Sequence, residues 1–480
     1  MAPDSASPES KRRAFKHIIL GKTRCQAQNT EQVNKPLGRF IKMSNLMKTL
    51  VFSFVVISAL LASCTQVDTV PTPDPAIISR IDELITGYTE EGQFWGSVLI
   101  AEKGLIVLNK GYGFADYEQE IPISPQSQFS LGSVTKLFTC AAIRMEADRG
   151  ALTQEDTLAE YIPDYPRGDE ITISQLLNHT SGSVDLFNDL EYGNPSYMAD
   201  PITIEELIER FKYELLEFDP GSKSEYSNSG YALLAYIIEQ TSGMSYNEYI
   251  EKEILTALEM NDSVADWDEG FSNKAIGYNN PGGSSTPPEY PQPHHSHLVG
   301  AGNQFSTVED LYLWYQALHG DEAWRPYDCG SHFRRGYGYR AAFMPIHGLD
   351  IVVIMLSNFL DAPLDGMVFD VQKILLEDKL IELDTALLDS FAGEYHALAP
   401  DGRETTIRIS RAENHLEVND IGSNIFSSGI FSLYPISPER FILKDESGYG
   451  PQCDFQIDGT DKISQIIFDD VIVIELTDID

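Results

Sequence analysis

Positive charge is scarce in this sequence: 34 Lys and Arg stand against 73 Asp and Glu, a formal charge of −39. The first 63 residues hold 10 of the basic and 3 of the acidic residues, so the remainder carries 24 against 70, or −46. Such a surface repels phosphate backbones, which excludes nucleic-acid binding and reads as a solvated acidic face that keeps the chain soluble. Cysteine is scarce too, with Cys25, Cys64, Cys140, Cys329 and Cys453 forming no CxxC pair and no Cys/His spacing of a zinc site. At this density a disulfide framework is not expected, and Cys140 is expected to pack. Apolar runs are short. Thr49 to Ala62 is an unbroken apolar or small run of 14 residues, too short to span a bilayer and the right length for a signal-peptide core.

What is present is globular: 42% hydrophobic and 10% aromatic residues can bury a core. Residues 1–42 read as an extension outside the structure and 43–63 as a signal peptide. Residues 64–77 read as a Pro/Thr tether, 78–375 as a main domain and 385–480 as a small β-rich domain. Amphipathic period predicts helices over 80–91, 133–150, 203–215, 231–243 and 307–320. Two apolar strands joined at Lys103-Gly104 predict a hairpin, and the run at 349–358 predicts a strand in a sheet interior. Strands at both ends with helices between imply an α/β architecture with a helical lobe. From Leu387, six short alternating segments (405–410, 415–418, 440–443, 454–457, 463–468, 471–476) predict a barrel or sandwich. The Gly-, Pro- and Ser-rich stretch 279–297 is read as a loop with exposed His294, His295 and His297 and no metal, because no carboxylate or thiol completes a shell.

The chemistry centres on Ser133-Val134-Thr135-Lys136. A serine hydroxyl is a weak nucleophile until a base touches it. Helical residues three apart share a face, so Lys136 reaches Ser133 without any tertiary coincidence. Gly132 suits a tight entry to the helix, whose free amides favour developing negative charge. Burial of Lys136 disfavours its charged form and frees a lone pair to accept a proton. A lone SxxK arises often by chance; its context gives it weight.

That context is FSLGSVTKLFTCAAI, then ITISQLLNHTSG, then PGSKSEYSNSGYALLAYIIEQTSG. Over residues 80–360 the chain resembles the serine β-lactamase-related family, which groups class C β-lactamases, D-alanyl-D-alanine carboxypeptidases, D-aminopeptidases and esterases. The resemblance implies a β-lactamase/transpeptidase-like antiparallel sheet flanked by helices, a helical lobe, and a small all-β C-terminal domain. It implies Ser133 as nucleophile, Lys136 and Tyr226 as the base pair, Asn228 as a substrate contact, and structural roles for His179 and Thr180. It implies no cofactor. The third element of the family, Lys or His-x-Gly on an edge strand, is matched to His332-Phe333-Arg334, with His332 as a substrate contact and an amide near Arg335 joining that of Ser133 in an oxyanion hole. Arg334 stands where relatives carry Gly, and 319–331 is several dozen residues shorter than the family pattern, which implies a remodelled or a damaged cleft.

Leu61-Ala62-Ser63-Cys64 resembles the lipobox of bacterial lipoproteins and implies lipid attachment at Cys64, with the protein on the cell envelope facing periplasm or exterior. The partners implied are the membrane, through that anchor, and a small-molecule or peptidoglycan-derived peptide substrate. Two functions follow. One is acyl transfer through a covalent ester, on D-amino-acid peptides, β-lactams or small esters. The other is a lipid-anchored binding protein that keeps the pocket and has lost turnover. The C-terminal domain is a candidate peptidoglycan or lipid binder, or a part that only covers the cleft or stabilises the chain.

Overall fold

The computed structural model describes residues 74–478 except 189–196, 266–272, 280–288, 321–322, 326–328, 330–331, 347–348, 378, 399–403, 421–429, 439, 446–447, 458–462 and 469–471. The chain divides into residues 1–72 and 73–480. The first unit, with the leader and Cys64, lies outside the described residues.

Helix α1 (Pro75–Glu90) starts five residues earlier than its period predicts, because Asp74 caps it: the carboxylate accepts from Ala76 N at 2.9 Å, and Pro75 supplies a preset φ at N1. Residues 75–77, read as tether, are therefore helical. Strands β1 (Gly96–Glu102) and β2 (Leu105–Tyr112) form the hairpin expected at Lys103-Gly104. Late in the chain come β3 (His332–Gly336), β4 (Tyr339–Ile346) and β5 (Ile351–Ser357), and the five make one antiparallel sheet in the order β2-β1-β5-β4-β3.

The period-2 alternation of these strands feeds two cores, as a sheet covered on both faces requires. Leu99, Val352, Ile354 and Leu356 face the larger core. Into it pack α2 (Thr135–Asp148), α4 (Asn228–Ser242) and α5 (Val308–Gly320). Val98, Ile100, Val353 and Met355 face the other core, with α1 and α6 (Leu364–Leu376). Helix α2 is apolar or buried nearly all round, Thr135 to Ile143 without a break, which makes it the central post of the body.

Three expectations are corrected. The helix expected over 203–215 is α3 (Ile204–Glu209) only: the chain then turns, burying Phe211 and bringing the buried Lys212 Nζ to Asp164 at 2.6 Å and Glu209 at 2.9 Å. The loop histidines are not exposed. His295–Leu298 is a 3-10 turn in which His295 and His297 are buried, and His297 Nε2 bonds Asp200 O at 2.8 Å. Burial pushes the His297 pKa down. Among the described residues no group of His, Cys, Asp or Glu could hold a metal.

The third correction is a disulfide, Cys140–Cys329, with Cα atoms 6.4 Å apart and a sequence separation of 189. Cysteine density gave no sign of it, because the contact is tertiary, bringing Cys329 against α2. Closing so long a loop contributes roughly 2–5 kcal/mol.

After α7 (Thr385–Phe391), eight strands form a closed barrel of successive antiparallel neighbours, Gly393–Leu398 pairing with Ile472–Asp478 to complete the ring. The strands at 393–398 and 430–435 add to the six read from sequence. Phe391 from α7 joins Tyr395, Ile407, Val418, Phe441 and Phe455 inside, so the barrel is filled by its own side chains. Ile442 instead packs into the second core of the body, and Ile381 N donates to Pro435 O at 3.0 Å.

Candidate active site

Gly132 has φ +48, a left-handed conformation that Gly adopts without cost, and it turns the chain into a 3-10 turn, Gly132–Val134, ahead of α2. Ser133 therefore sits two residues before the α-helix. Side chains three apart eclipse in 3-10 geometry, which brings Lys136 Nζ to 3.1 Å from Ser133 Oγ. Ser133 is 2% and Lys136 1% exposed.

A buried lysine needs acceptors, and three are present. Nζ donates to Ser133 Oγ, to Asn228 Oδ1 at 2.7 Å and to Ala301 O at 2.9 Å, accommodating the three N–H groups of an ammonium. Residues 300–304 are tied to α2: Thr139 Oγ1 donates to Gly300 O at 2.7 Å, and Gln304 N donates to Thr135 Oγ1 at 3.3 Å.

Tyr226 arrives from 93 positions away and places its Oη 2.5 Å from Ser133 Oγ. Lys136 Nζ lies 4.9 Å from the Tyr226 ring centroid. Tyr226 is 42% exposed, so one side of the phenol faces the cleft. Its other neighbour is His179, with ring centroids 4.6 Å apart. His179 (φ +58) accepts from Ser227 N at 3.2 Å on Nδ1, so it props the segment that carries Tyr226. Ser227 then caps α4, accepting from Gly230 N at 3.2 Å, and the cap fixes the direction in which Asn228 leaves the helix.

Asp185 was not read from sequence. It is buried, and its carboxylate accepts from Asn228 Nδ2 at 3.0 Å and Phe187 N at 3.2 Å, which turns the amide oxygen of Asn228 toward Lys136. Burial pushes the Asp185 pKa up; its hydrogen bonds from Phe187 and Asn228 and the Lys136 charge oppose this. A sequence signal existed only in position, three residues past the HTSG run.

These groups border a cavity of about 300 Å³ lined by Asp185, Phe187, Tyr226, Asn228, Leu298, Ala301, Gly302 and Tyr337. Ser133, Lys136, Tyr226 and Asn228 are thus brought together. His332 is the first residue of edge strand β3, paired in register with Phe343, and β3 packs against the Ser133 turn. The side chains of residues 331–335, including His332, Arg334 and Arg335, lie outside the described residues. Tyr337, in the β3–β4 turn, supplies the cavity wall nearest that strand, and sequence reasoning missed it. It holds φ +52, uncommon for a bulky residue, ahead of Gly338 at φ +85. Tyr290 and Gly277 crowd Gly338, and a Cβ there would come within 2.7 and 2.8 Å of them.

The Beta-lactamase family model matches residues 81–328, ending just before Cys329 and β3. The putative penicillin-binding protein PbpX of Bacillus subtilis (strain 168) is 33% identical over 240 residues, covering 49% of this chain and 58% of that protein. The chain thus spans little more than half the length of that relative. Penicillin-binding protein 4* of the same organism is 28% identical over 414 residues, covering 74% of this chain and 89% of its own length. Among solved structures, the octameric penicillin-binding protein homologue from Pyrococcus abyssi superposes with a TM-score of 0.53 at 22% identity, covering 83% of this chain and all of that one. That likeness shows the fold.

Proposed function

Taking as premise that the chain belongs to the Beta-lactamase family, we propose that it is a serine hydrolase working through a covalent acyl-enzyme on Ser133. The observation that carries the proposal is the position of Ser133 Oγ, 2.5 Å from Tyr226 Oη and 3.1 Å from Lys136 Nζ, beside an open cavity.

Ser133 Oγ attacks the substrate carbonyl while its proton passes to Tyr226 Oη, which accepts it as the phenolate held beside the Lys136 ammonium. Lys136 has its three donors engaged and Tyr226 Oη is the nearer of the two to Ser133 Oγ, so Tyr226 takes the proton and the two hold and move it as a coupled pair. The same proton is delivered to the leaving group as the tetrahedral intermediate collapses to an ester. Water then takes the leaving group's place and reverses the steps, releasing the acid. The Ser133 amide and an amide near Arg335 on β3 serve as the oxyanion hole, at about 3–4 kcal/mol per donor. Asn228, turned by Asp185, holds Lys136 and meets the substrate.

The substrates proposed are D-amino-acid peptides, β-lactams or small esters, a range the modest cavity and the resemblance support. The cell envelope is the proposed location, with a lipid anchor at Cys64. A disulfide is at home in the oxidising conditions outside the cytosol, and the relatives named as penicillin-binding proteins point the same way. Fluorophosphonate or fluorescent-penicillin labelling tests the proposal. Peptide mapping is expected to find the adduct on Ser133; hydrolysis at the parent rate by Ser133→Ala would refute it. A folded protein that takes up neither probe would favour the binding-protein reading.

A further inference from the structure

We propose that the Cys140–Cys329 disulfide is a positioning clamp on the candidate active site, so that acylation of Ser133 depends on the oxidation state of this one bond. The inference rests on the acyl-enzyme reading above.

One end of the bond is fixed. Cys140 lies four residues beyond Lys136, one turn along the same face of α2, and is buried. Thr139, its neighbour, holds Gly300 O and the Tyr246 hydroxyl, each at 2.7 Å, so this turn of helix is bound on several sides.

The other end holds something that is otherwise weakly held. Cys329 is three residues ahead of β3. Among the described residues that strand is the edge of the sheet and pairs with β4 alone, which leaves its outer side without a ladder partner there. Yet β3 borders the Ser133 turn, and the turn leaving it puts Tyr337 into the cavity wall. Three residues of chain reach at most about 11 Å, so the bond limits how far the start of β3 can move from α2.

The catalytic contacts do not share this dependence. Ser133, Lys136, Tyr226 and Asn228 meet through α2 and the start of α4, neither of which needs Cys329. Losing the bond therefore leaves the nucleophile and base in contact, and loosens the opposite wall with the backbone amides it offers. The chemical step is weakened and the body stays folded.

Opening the clamp needs a dithiol reductant. Dithiothreitol gives up two electrons and two protons, becoming a cyclic disulfide, and Cys140 and Cys329 become thiols. Cys329 is half-buried, so the bond is approachable from that side.

The test uses the full chain, oxidised and after dithiothreitol, at a temperature where circular dichroism shows both folded. Fluorophosphonate labelling of Ser133 is expected to be at least tenfold slower after reduction. The kcat on a p-nitrophenyl ester is expected to fall equally, with KM changed less than twofold. A Cys140→Ser/Cys329→Ser double variant should match the reduced protein and ignore dithiothreitol. Labelling rates within twofold in the two states would overturn the clamp alone, as would a non-reduced digest lacking a Cys140–Cys329 peptide. A loss of rate that only tracks the folded fraction would also overturn it, leaving the bond a purely structural one. No labelling in either state would remove the acyl-enzyme reading, and the clamp with it.

Discussion

The two walls of the cleft are built differently. The nucleophile wall is a web of short side-chain bonds around a buried helix, where Ser133, Lys136, Tyr226, Asn228 and Asp185 each have a named partner. The facing wall is an edge strand and its turn, held by one neighbouring strand and by a disulfide placed just before it. The first wall has its Ser133–Lys136 contact written into a local spacing of three residues, and the start of α4 brings Tyr226 and Asn228 to it. The second depends on a contact between residues 189 apart, and it lies beyond the end of the family match at residue 328.

That contrast can be broken in several places. Ser133→Ala should have the largest effect, removing labelling and lowering ester hydrolysis by about 10³-fold or more, as loss of a nucleophile does elsewhere. Tyr226→Phe keeps the ring against His179 and removes only the hydroxyl, so kcat should drop by roughly 10²–10⁴-fold with the melting temperature little changed. On the facing wall, Gly338→Ala forces a Cβ against Gly277 backbone at φ +85, and a loss of about 1–3 kcal/mol should be visible in denaturant unfolding. Asp185→Asn turns one acceptor into a donor facing Asn228. If Asp185 aligns that amide, kcat/KM should fall roughly tenfold, in line with one charged hydrogen bond, and an unchanged value would exclude the alignment.

The smallest effect lies away from both walls. Burial pushes the Asp310 pKa up from 3.8 to about 6, against hydrogen bonds from Ser263 and Asp262. A carboxyl with a raised folded-state pKa binds its proton more tightly in the folded state. Its contribution is therefore full below about pH 4 and is lost as pH rises toward 6. Asp310→Asn can keep both bonds, so thermal melts from pH 4 to 8 should flatten relative to the parent. The variant is expected to be about 1–2 kcal/mol more stable at neutral pH.

Much of the nucleophile wall was legible because its signals are local. SxxK needs only one turn, and Tyr226-Ser227-Asn228 sits immediately ahead of a capped helix. The hairpin at Lys103-Gly104 and the interior strand at 351–357 were legible through periodicity. Asp185, Tyr337 and the disulfide were not. Each acts through a tertiary meeting that no spacing encodes, and the family match stops at residue 328, before β3. The histidines of 294–297 misled for a related reason. Gly, Pro and Ser nearby mark a loop, but burial is decided by what covers it, here Asp200 and its neighbours.

Helix α2 is buried from Thr135 to Ile143 without a break, and this has a consequence for how the molecule breathes. Its amides can meet solvent only when the whole body opens, so deuterium should enter Phe138 to Ala142 last, at the rate of global unfolding. The helix that follows Ser133 and carries Lys136 would then be the stillest part of the protein, and any adjustment to fit a substrate must come from the cleft's other side.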